Sequence, residues 1–182
     1  MFLEVLNRVT DSSAIAPSNT VRFATARSLK ETLDLIGFFA PKILGLISVI
    51  QLWNRSTFLI GYILFWVGNN YLNQILKTII KQPRPSGGRT IINEKYYGAD
   101  IYGMPSSHAQ SVFFSMIYLY LVKNSSGFLL LEMFISALAL YQRWSYRKHT
   151  AEQLFAGSVI GFCMANIAYF ATNKWLTTRN LS

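Results

Sequence analysis

Long apolar blocks alternate with short polar segments along most of the chain. The blocks cover residues 33–53, 58–80, 108–123, 128–141 and a last stretch that begins after 149 and ends near 171. A helix needs about 20 mostly apolar residues to cross the hydrocarbon core of a bilayer. The pattern therefore predicts an all-α fold, a polytopic integral membrane helix bundle with about five transmembrane helices.

The two ends of the chain are more polar than its centre. Residues 1–32 are rich in Ser, Thr, Ala and Arg and are interpreted as an N-terminal interfacial segment. A cleavable organellar transit peptide has a similar composition and stays an alternative. We expect residues 33–175 to form one transmembrane domain and residues 176–182 to form a short tail.

The composition indicates which class of partner the chain contacts. Hydrophobic residues make up 52% of the chain and charged residues only 14%, yet the formal net charge is +9. The basic residues are scattered among the loops, which favours contact with anionic lipid headgroups and argues against a nucleic-acid partner. Cys163 is the only cysteine, so no disulfide can form within the chain.

Polar and small residues inside the apolar blocks predict how the helices pack. The second block carries a polar stripe at helical spacing, formed by Asn70, Asn73, Gln74, Lys77 and Lys81. Because polar side chains at membrane depth avoid lipid, this stripe should face the bundle interior or a water-filled cavity. Gly157 and Gly161 are spaced to allow close helix contact. The intramembrane charges Lys42 and Glu132 either pair across two spans or each reach an interface.

Counting the crossings places three polar segments on one membrane face: the end of the second span, the start of the third, and the turn between the fourth and fifth. The residues brought to this face are Lys77, Lys81, Arg84, Ser106, Ser107, His108, Arg143 and His149. Arginine binds phosphate oxygens bidentately, lysine adds a point charge, and a helix N-terminus adds backbone N–H donors. The group predicts a site for an oxyanion with several negative charges.

His108 and His149 are the only histidines, and both border this polar face. Either one taken singly is equally well explained as a buried histidine bonded to a backbone carbonyl. Together, beside cations, they allow one imidazole to attack phosphorus and the other to protonate the leaving oxygen. The acids Glu94, Asp100 and Glu152 are dispersed, without paired spacing suited to two metal ions, so we expect no metal and no cofactor.

The order and spacing of these residues resemble the three-part signature of the type 2 phosphatidic acid phosphatase superfamily, K-x6-R-P, P-S-G-H and S-R-x5-H-x3-D. The matching positions are Lys77, Arg84, Pro85, Pro105, Ser106, His108, Arg143 and His149. The resemblance covers residues 69–161, roughly half of the chain. Residues 81–88 and 103–110 also look similar to the dolichyl-diphosphatase branch and to small plastid-type lipid phosphate phosphatases.

The resemblance implies a membrane-embedded, metal-independent phosphohydrolase for a lipid phosphate or diphosphate, either polyprenyl (dolichyl) diphosphate or phosphatidate. It implies that His149 is the nucleophile that forms a phosphohistidine and that His108 is the general acid. The phosphate-binding residues that it implies are Lys77, Arg84, Ser106, Ser107 and Arg143. Lys81 is not a family position and is interpreted as an interfacial lysine or a second phosphate contact. A lipid phosphotransferase using the same site and a non-catalytic membrane scaffold are the alternative functions.

Three positions depart from the signature: Ser107 replaces its glycine, Gln142 its serine and Gln153 its aspartate. A carboxylate four residues after His149 would orient the imidazole and stabilise its cation. The carbonyl oxygen of Gln153 can orient the ring but carries no charge. The same glutamine fits a helix capping box with Thr150 as the N-cap, and both interpretations stay open.

The resemblance also implies a location. It favours the endoplasmic reticulum or another endomembrane, with the plastid envelope as the alternative. Basic residues outside the spans are concentrated on the motif side, which favours a cytoplasmic site. The resemblance to dolichyl-diphosphatases implies a lumenal site instead, so the sequence supports both orientations.

Overall fold

The computed structural model describes residues 19–92 and 94–180, and within these residues the fold is entirely helical. The α-helices are α1 (Asn19–Leu52), α2 (Ser56–Ile80), α3 (Ser107–Lys123), α4 (Ser126–Ser145) and α5 (Ala151–Asn180). One 3-10 helix, Gly98–Ile101, lies in the long connection between α2 and α3. The predicted all-α class is confirmed, and the described helices equal in number the five that were expected.

The ends of the chain were predicted to be an interfacial segment and a tail. Residues 1–18 and 181–182 of those segments lie outside the described residues. Among the described residues, 19–32 and those from Leu33 onward belong to two separate units, and all of the site lies in the second. Helix α5 continues to Asn180, past the end expected near 171, because no glycine or proline follows Gly161 to interrupt it.

Two helices are long and apolar enough to cross a membrane by length and composition. These segments are Arg27–Leu52 and Ala151–Thr178, which contain 18-residue stretches with mean hydropathies of 1.9 and 1.7, respectively. Large apolar side chains that are 60–72% exposed also lie on four helices; examples are Ile50, Leu64, Leu130, Phe155 and Phe170. Exposed apolar surface of this extent is rare on monomers in water, so a lipid environment suits the outer surface of the bundle.

Helix α3 is the central helix, and its residues are all buried or half-buried. It packs against α2, α4 and α5. Its contact with α5 depends on the two predicted glycines. A Cβ atom at Gly157 would contact the Ser106 carbonyl oxygen and lie 3.1 Å from the Ala109 Cβ, and one at Gly161 would contact the Gln110 carbonyl oxygen. The close helix contact predicted from this pair is confirmed.

Gly161→Ala is expected to destabilise the bundle, although alanine favours a helix over glycine. The new methyl group would be forced against the α3 backbone, which cannot move aside as a side chain can, and such overpacking costs about 1–3 kcal/mol. Gly68→Ala in α2 is the matched control because no atom lies within 4 Å of its Cβ position. Thermal unfolding in detergent should show a lower midpoint for Gly161→Ala only, and equal midpoints would contradict the packing argument.

The polar stripe of α2 faces the bundle interior at Asn73 and Lys77, as predicted, and Asn73 forms a polar seam with Asn69 and with Gln110 of α3. Asn73 Nδ2 donates to Gln110 Oε1 at 2.7 Å, and Gln110 Nε2 donates to the Asn69 Oδ1 at 2.8 Å. Lys77 is fully buried one turn further along, whereas Lys81 is exposed at the end of the helix. The seam fixes the C-terminal end of α2 beside the start of α3.

The predicted alternative of a Lys42–Glu132 pair is wrong. Lys42 is exposed, and its ammonium lies 5.6 Å from the centre of the Phe39 ring. Glu132 is fully buried in α4, and neither carboxyl oxygen has a hydrogen-bond partner among the residues that the structure describes. The apolar pattern gave the depth of both residues but not the direction in which each points around its helix.

Candidate active site

The predicted site residues meet at one end of the bundle. Lys77 lies at the end of α2, Arg84 in the α2–α3 connection, His108 in the first turn of α3, Arg143 in the last turn of α4, and His149 in the turn before α5. Hydrogen bonds join Arg84 to His149 and Arg143 to His108. Sequence positions up to 65 apart are therefore in direct contact, as the crossing count predicted.

The His149 imidazole is held by both of its nitrogens. Nδ1 lies 3.0 Å from the Gly103 carbonyl oxygen and 3.3 Å from Gln153 Oε1, both of which can only accept a hydrogen bond. The proton therefore belongs on Nδ1. Nε2 accepts from Arg84 Nη1 at 3.0 Å, which leaves the lone pair of Nε2 directed toward the cations.

The charge state of His149 follows from its surroundings. Burial lowers the pKa of the imidazole well below its usual value, and the positive charges of Arg84, Lys77 and Arg143 lower this pKa further. Both effects disfavour the imidazolium form. At neutral pH the ring is therefore neutral, which is the form that can attack an electrophile.

Gln153 performs both of the roles between which the sequence left a choice. Its Oε1 accepts from the Thr150 backbone N–H at 3.2 Å, and its own N–H donates to Thr150 Oγ1 at 3.3 Å, which forms the capping box of α5. The same Oε1 faces His149 Nδ1. The amide nitrogen donates to Gln82 Oε1 at 3.1 Å and to the Pro83 carbonyl oxygen at 2.9 Å, bonds that an ionised aspartate could not make.

His108 lies at the junction of three helices. Its Nε2 is 3.2 Å from the Phe38 carbonyl oxygen of α1 and in contact with Arg143 Nη2 of α4. The Arg143 guanidinium carbon lies 5.0 Å from the centre of the Phe38 ring. An imidazole in this position can exchange a proton with a group bound beside Arg143.

Lys77 and Arg84 both bind Asp100 of the 3-10 helix. Lys77 Nζ donates to Asp100 Oδ1 at 2.7 Å, while Arg84 Nε and Nη2 donate to the Asp100 backbone oxygen at 3.1 and 2.9 Å. Burial alone would raise the pKa of Asp100, but the hydrogen bond and charge of Lys77 outweigh it and lower that pKa. The Asp100 carboxylate is therefore ionised and neutralises Lys77.

Arg143 binds a second carboxylate. Its Nη1 donates to Glu94 Oε1 at 2.9 Å, and Lys148 Nζ donates to Glu94 Oε2 at 2.7 Å. The Tyr96 hydroxyl donates to the same Oε2 at 2.9 Å. Burial alone would raise the pKa of Glu94, but the bonds from Lys148 and Arg143 outweigh it and lower that pKa to about 2.

Ser106 and Ser107 occupy different positions at the start of α3. Ser106 is the N-cap of α3: its Oγ accepts from the Ala109 backbone N–H at 3.5 Å, and its backbone N–H donates to the Gln153 carbonyl oxygen at 3.0 Å. Ser107 is the first residue of α3 and is half-buried. The backbone of the predicted serine-rich helix start therefore lies beside the His149 turn, where its donors can meet an anion.

Several residues of the site were not predicted from the sequence: Phe38, Glu94, Tyr96, Asp100, Gly103 and Lys148. Glu94 and Asp100 were noted only as acids without metal-binding spacing. Both lie in the connection between the first two motif segments, but Lys95 adjoins Glu94 in the sequence, so nothing there pairs these acids with the motif cations.

Two cavities adjoin the site. A cavity of about 440 Å³ is lined by Pro85, Ser86, Trp144, Arg147, His149, Thr150 and Ala151. An apolar groove of about 650 Å³ between α3, α4 and α5 is lined by Phe113, Leu140, Tyr141, Trp144, Ala151, Leu154, Phe155, Ser158, Val159 and Phe162. Trp144 and Ala151 line both, so the groove adjoins the cavity at His149.

Comparisons with known proteins agree with the predicted resemblance. The chain is 33% identical to Dolichyldiphosphatase 1 of Dictyostelium discoideum over 137 residues, which cover 69% of this chain and 57% of that protein. It is 31% identical to Dolichyldiphosphatase 1 of Mus musculus over 152 residues, 74% of this chain and 61% of that protein. It is also 33% identical to the chloroplastic Lipid phosphate phosphatase epsilon 2 of Arabidopsis thaliana over 116 residues, 59% of this chain and 37% of that protein.

The chain spans about three fifths of the length of the dolichyldiphosphatases that it matches. No solved structure matches it. The family match covers residues 58–176, which include every cation and both histidines of the site. The chain belongs to the PAP2 superfamily.

Proposed function

We propose that this protein is a membrane-embedded lipid phosphate or diphosphate phosphohydrolase that acts through a phosphohistidine at His149. The observation that carries the proposal is the position of His149 Nε2, a neutral nitrogen whose lone pair accepts from Arg84 Nη1 at 3.0 Å and becomes available for attack when Arg84 binds phosphate instead. A nucleophile beside an arginine that can bind phosphate oxygens is the arrangement that phosphoryl transfer needs. Membership of the PAP2 superfamily supports the same reaction.

The first step joins His149 to the substrate phosphorus. Nε2 attacks phosphorus, a P–N bond forms, and the bond between phosphorus and the lipid oxygen breaks. The electron pair stays on the lipid oxygen, which takes a proton from His108 in its imidazolium form, a form that the charge of the bound phosphate favours. Lys77, Arg84 and Arg143 stabilise the charge on the transferring group, supplying positive charge that in other phosphatases comes from metal ions.

The second step returns the enzyme to its starting state. Water attacks the phosphohistidine and gives a proton to His108, the P–N bond breaks, and inorganic phosphate leaves. Gly103 and Gln153 hold the Nδ1 proton throughout, because both accept a hydrogen bond from that nitrogen. The cycle therefore uses only residues of this chain and water.

The apolar groove supports a lipid substrate. The groove opens beside His149 between α3, α4 and α5. Two residues of its wall, Trp144 and Phe155, are 59% and 72% exposed. A hydrocarbon tail in this groove would remain in the lipid layer while its phosphate reaches the cations. Relatives named dolichyldiphosphatase and lipid phosphate phosphatase support polyprenyl diphosphate and phosphatidate as substrates.

The same relatives also support an endomembrane location, with the endoplasmic reticulum favoured and the plastid envelope as the alternative.

The test is phosphate release by the purified chain in detergent with EDTA, with polyprenyl diphosphate and phosphatidate offered side by side. Release from either substrate supports the hydrolase, and the ratio of rates ranks the two lipids. A second lipid alcohol added to the same reaction reports phosphotransferase activity. If a folded sample releases no phosphate from either substrate, with or without the acceptor, the proposal is overturned.

The pH profile should reflect the lowered pKa of His149. Since a lower pKa keeps the imidazole neutral to lower pH, kcat/KM should be retained as the pH falls through about 6.5 and be lost only below it. Arg84→Gln removes one of the charges that lower this pKa, so the acid limb should move to higher pH. Arg89→Gln, at an exposed position of the same connection, is the control. Profiles are corrected for ionisation of the substrate, and an unchanged acid limb in Arg84→Gln would contradict the prediction.

A further inference from the structure

Donor side chains of the site form two groups, each bound to one carboxylate of the α2–α3 connection. The first group, here called the inner site, is Lys77 with Gln74, and both donate to Asp100 Oδ1 at 2.7 and 3.2 Å. The second group, here called the clamp, is Arg143 with Lys148, which donate to the two oxygens of Glu94. Each carboxylate marks a place where the protein binds an anion.

The clamp contains a lysine that the family signature does not include. Lys148 is only 5% exposed, although a lysine side chain seldom is buried without a specific partner. Its Nζ lies 2.7 Å from Glu94 Oε2 and 5.2 Å from the centre of the Tyr96 ring. A buried ammonium and a buried guanidinium on the two oxygens of one carboxylate form a strong, water-poor anion site.

Arg84 connects the two groups. Its Nη1 donates to the Lys148 carbonyl oxygen at 3.1 Å and to His149 Nε2, while its Nε and Nη2 bind the Asp100 backbone. Its guanidinium carbon also lies 4.0 Å from the centre of the Tyr96 ring, the ring that Lys148 of the clamp approaches. The nucleophile His149 is thus adjacent to the inner site, and the general acid His108 contacts Arg143 of the clamp.

We propose that the two carboxylates stand in for the two phosphoryl groups of a lipid diphosphate, and that Lys148 determines specificity for the diphosphate. This inference rests on the proposed function. The terminal phosphoryl group replaces the Asp100 carboxylate at Lys77 and Gln74, beside Arg84, and His149 attacks it there. The phosphoryl group attached to the lipid replaces Glu94 in the clamp, beside His108.

The chemistry of the cleavage agrees with this placement. A P–N bond forms at His149 Nε2, and the bond between the terminal phosphorus and the bridging oxygen breaks. The bridging oxygen keeps the electron pair and takes the proton of His108, so the leaving group is a lipid monophosphate held by Lys148 and by Arg143, which also contacts the transferring phosphoryl group. A monophosphate substrate has a single phosphoryl group at the inner site and does not need to displace Glu94 from Lys148.

The first experiment measures specificity. Farnesyl diphosphate and farnesyl monophosphate, which share one tail, are hydrolysed in detergent with EDTA by wild type, Lys148→Gln and Lys148→Arg. The ratio of kcat/KM for diphosphate over monophosphate should fall by about tenfold in Lys148→Gln, as expected for the loss of one charge-assisted bond. Lys148→Arg should restore most of the ratio, and Lys95→Gln, an exposed lysine of the connection, should leave it unchanged. An equal loss on both substrates would overturn the proposal.

The second experiment measures binding without turnover. Methylenediphosphonate and orthophosphate are titrated calorimetrically into the detergent-purified chain with EDTA. Glu94→Gln removes the competing carboxylate, so methylenediphosphonate should bind about tenfold more tightly, whereas Lys148→Gln should weaken it. Glu152→Gln, exposed in α5, is the matched control for the lost acid.

The binding result is independent of turnover. A wild type that binds methylenediphosphonate no more tightly than orthophosphate would overturn the two-site inference, whether or not the enzyme is active. A wild type that binds methylenediphosphonate as predicted but hydrolyses neither farnesyl ester would overturn the proposed function and leave the two anion sites supported.

Discussion

His149→Ala is expected to abolish phosphate release from every substrate. The imidazole is the group that forms the P–N bond, and nothing in the variant can take its place. Loss of a covalent nucleophile costs about 10⁴-fold or more in kcat. Phosphate release in detergent with EDTA measures this loss, and labelling of the protein from radioactive substrate that is lost in acid but survives alkali identifies a phosphohistidine. Labelled wild type and unlabelled variant are expected.

The environment of His149 provides a control for this variant. The side chain is 2% exposed and contacts Arg84, Gly103 and Gln153, so alanine leaves a hole of about the volume of one imidazole. Added imidazole should enter that hole, be oriented by the same acceptors, and restore part of the phosphate release. Equal release by His149→Ala and wild type, in samples with the same unfolding midpoint, would remove His149 from the mechanism.

The fold was predictable because its signals are local. Pro105 and Ser106 predict the start of α3, and the structure begins that helix at Ser107 with Ser106 as its N-cap. The glycine spacing on α5 predicted a close helix contact because a helix surface repeats every three to four residues, and the structure shows that the partner is α3. Signals of this kind depend on neighbours in the sequence and not on the partner that the residue meets.

The acids of the site were not predictable in the same way. Glu94 meets Arg143 across 49 positions, and Asp100 meets Lys77 across 23. Both acids lie in a largely irregular connection, where no periodicity says which way a side chain points. The spacing of the acids does not suit a shared metal ion, and it gives no reason to pair either acid with a motif cation.

Gln153 shows how one residue can satisfy two interpretations. The spacing from Thr150 predicts a capping box, and the spacing from His149 predicts an orienting contact. A carbonyl oxygen has two lone pairs, so Oε1 can accept from the Thr150 N–H and from His149 Nδ1–H together. The sequence could not choose between the two roles because the structure combines them.

His108→Ala is expected to lower the rate by about 10²–10⁴-fold, the usual contribution of a general acid. The size of the loss should depend on the leaving group. Phosphatidate releases an alkoxide-like oxygen that needs the proton, so its hydrolysis should suffer most. An aryl phosphate with a nitro group, such as p-nitrophenyl phosphate, releases a stable anion and should lose much less.

This dependence separates general acid catalysis from a structural role of His108. The imidazole also bonds the Phe38 carbonyl oxygen and contacts Arg143, so its removal could simply displace Arg143. Displacement of a phosphate-binding arginine would slow both substrates by a similar factor, since each carries the same phosphoryl group. His108→Gln, which can still donate to Phe38 but cannot transfer a proton, should behave like His108→Ala on phosphatidate. If His108→Ala slows both substrates by the same factor, and His108→Gln restores the rate, then His108 is a positioning residue. Water would in that case protonate the leaving oxygen.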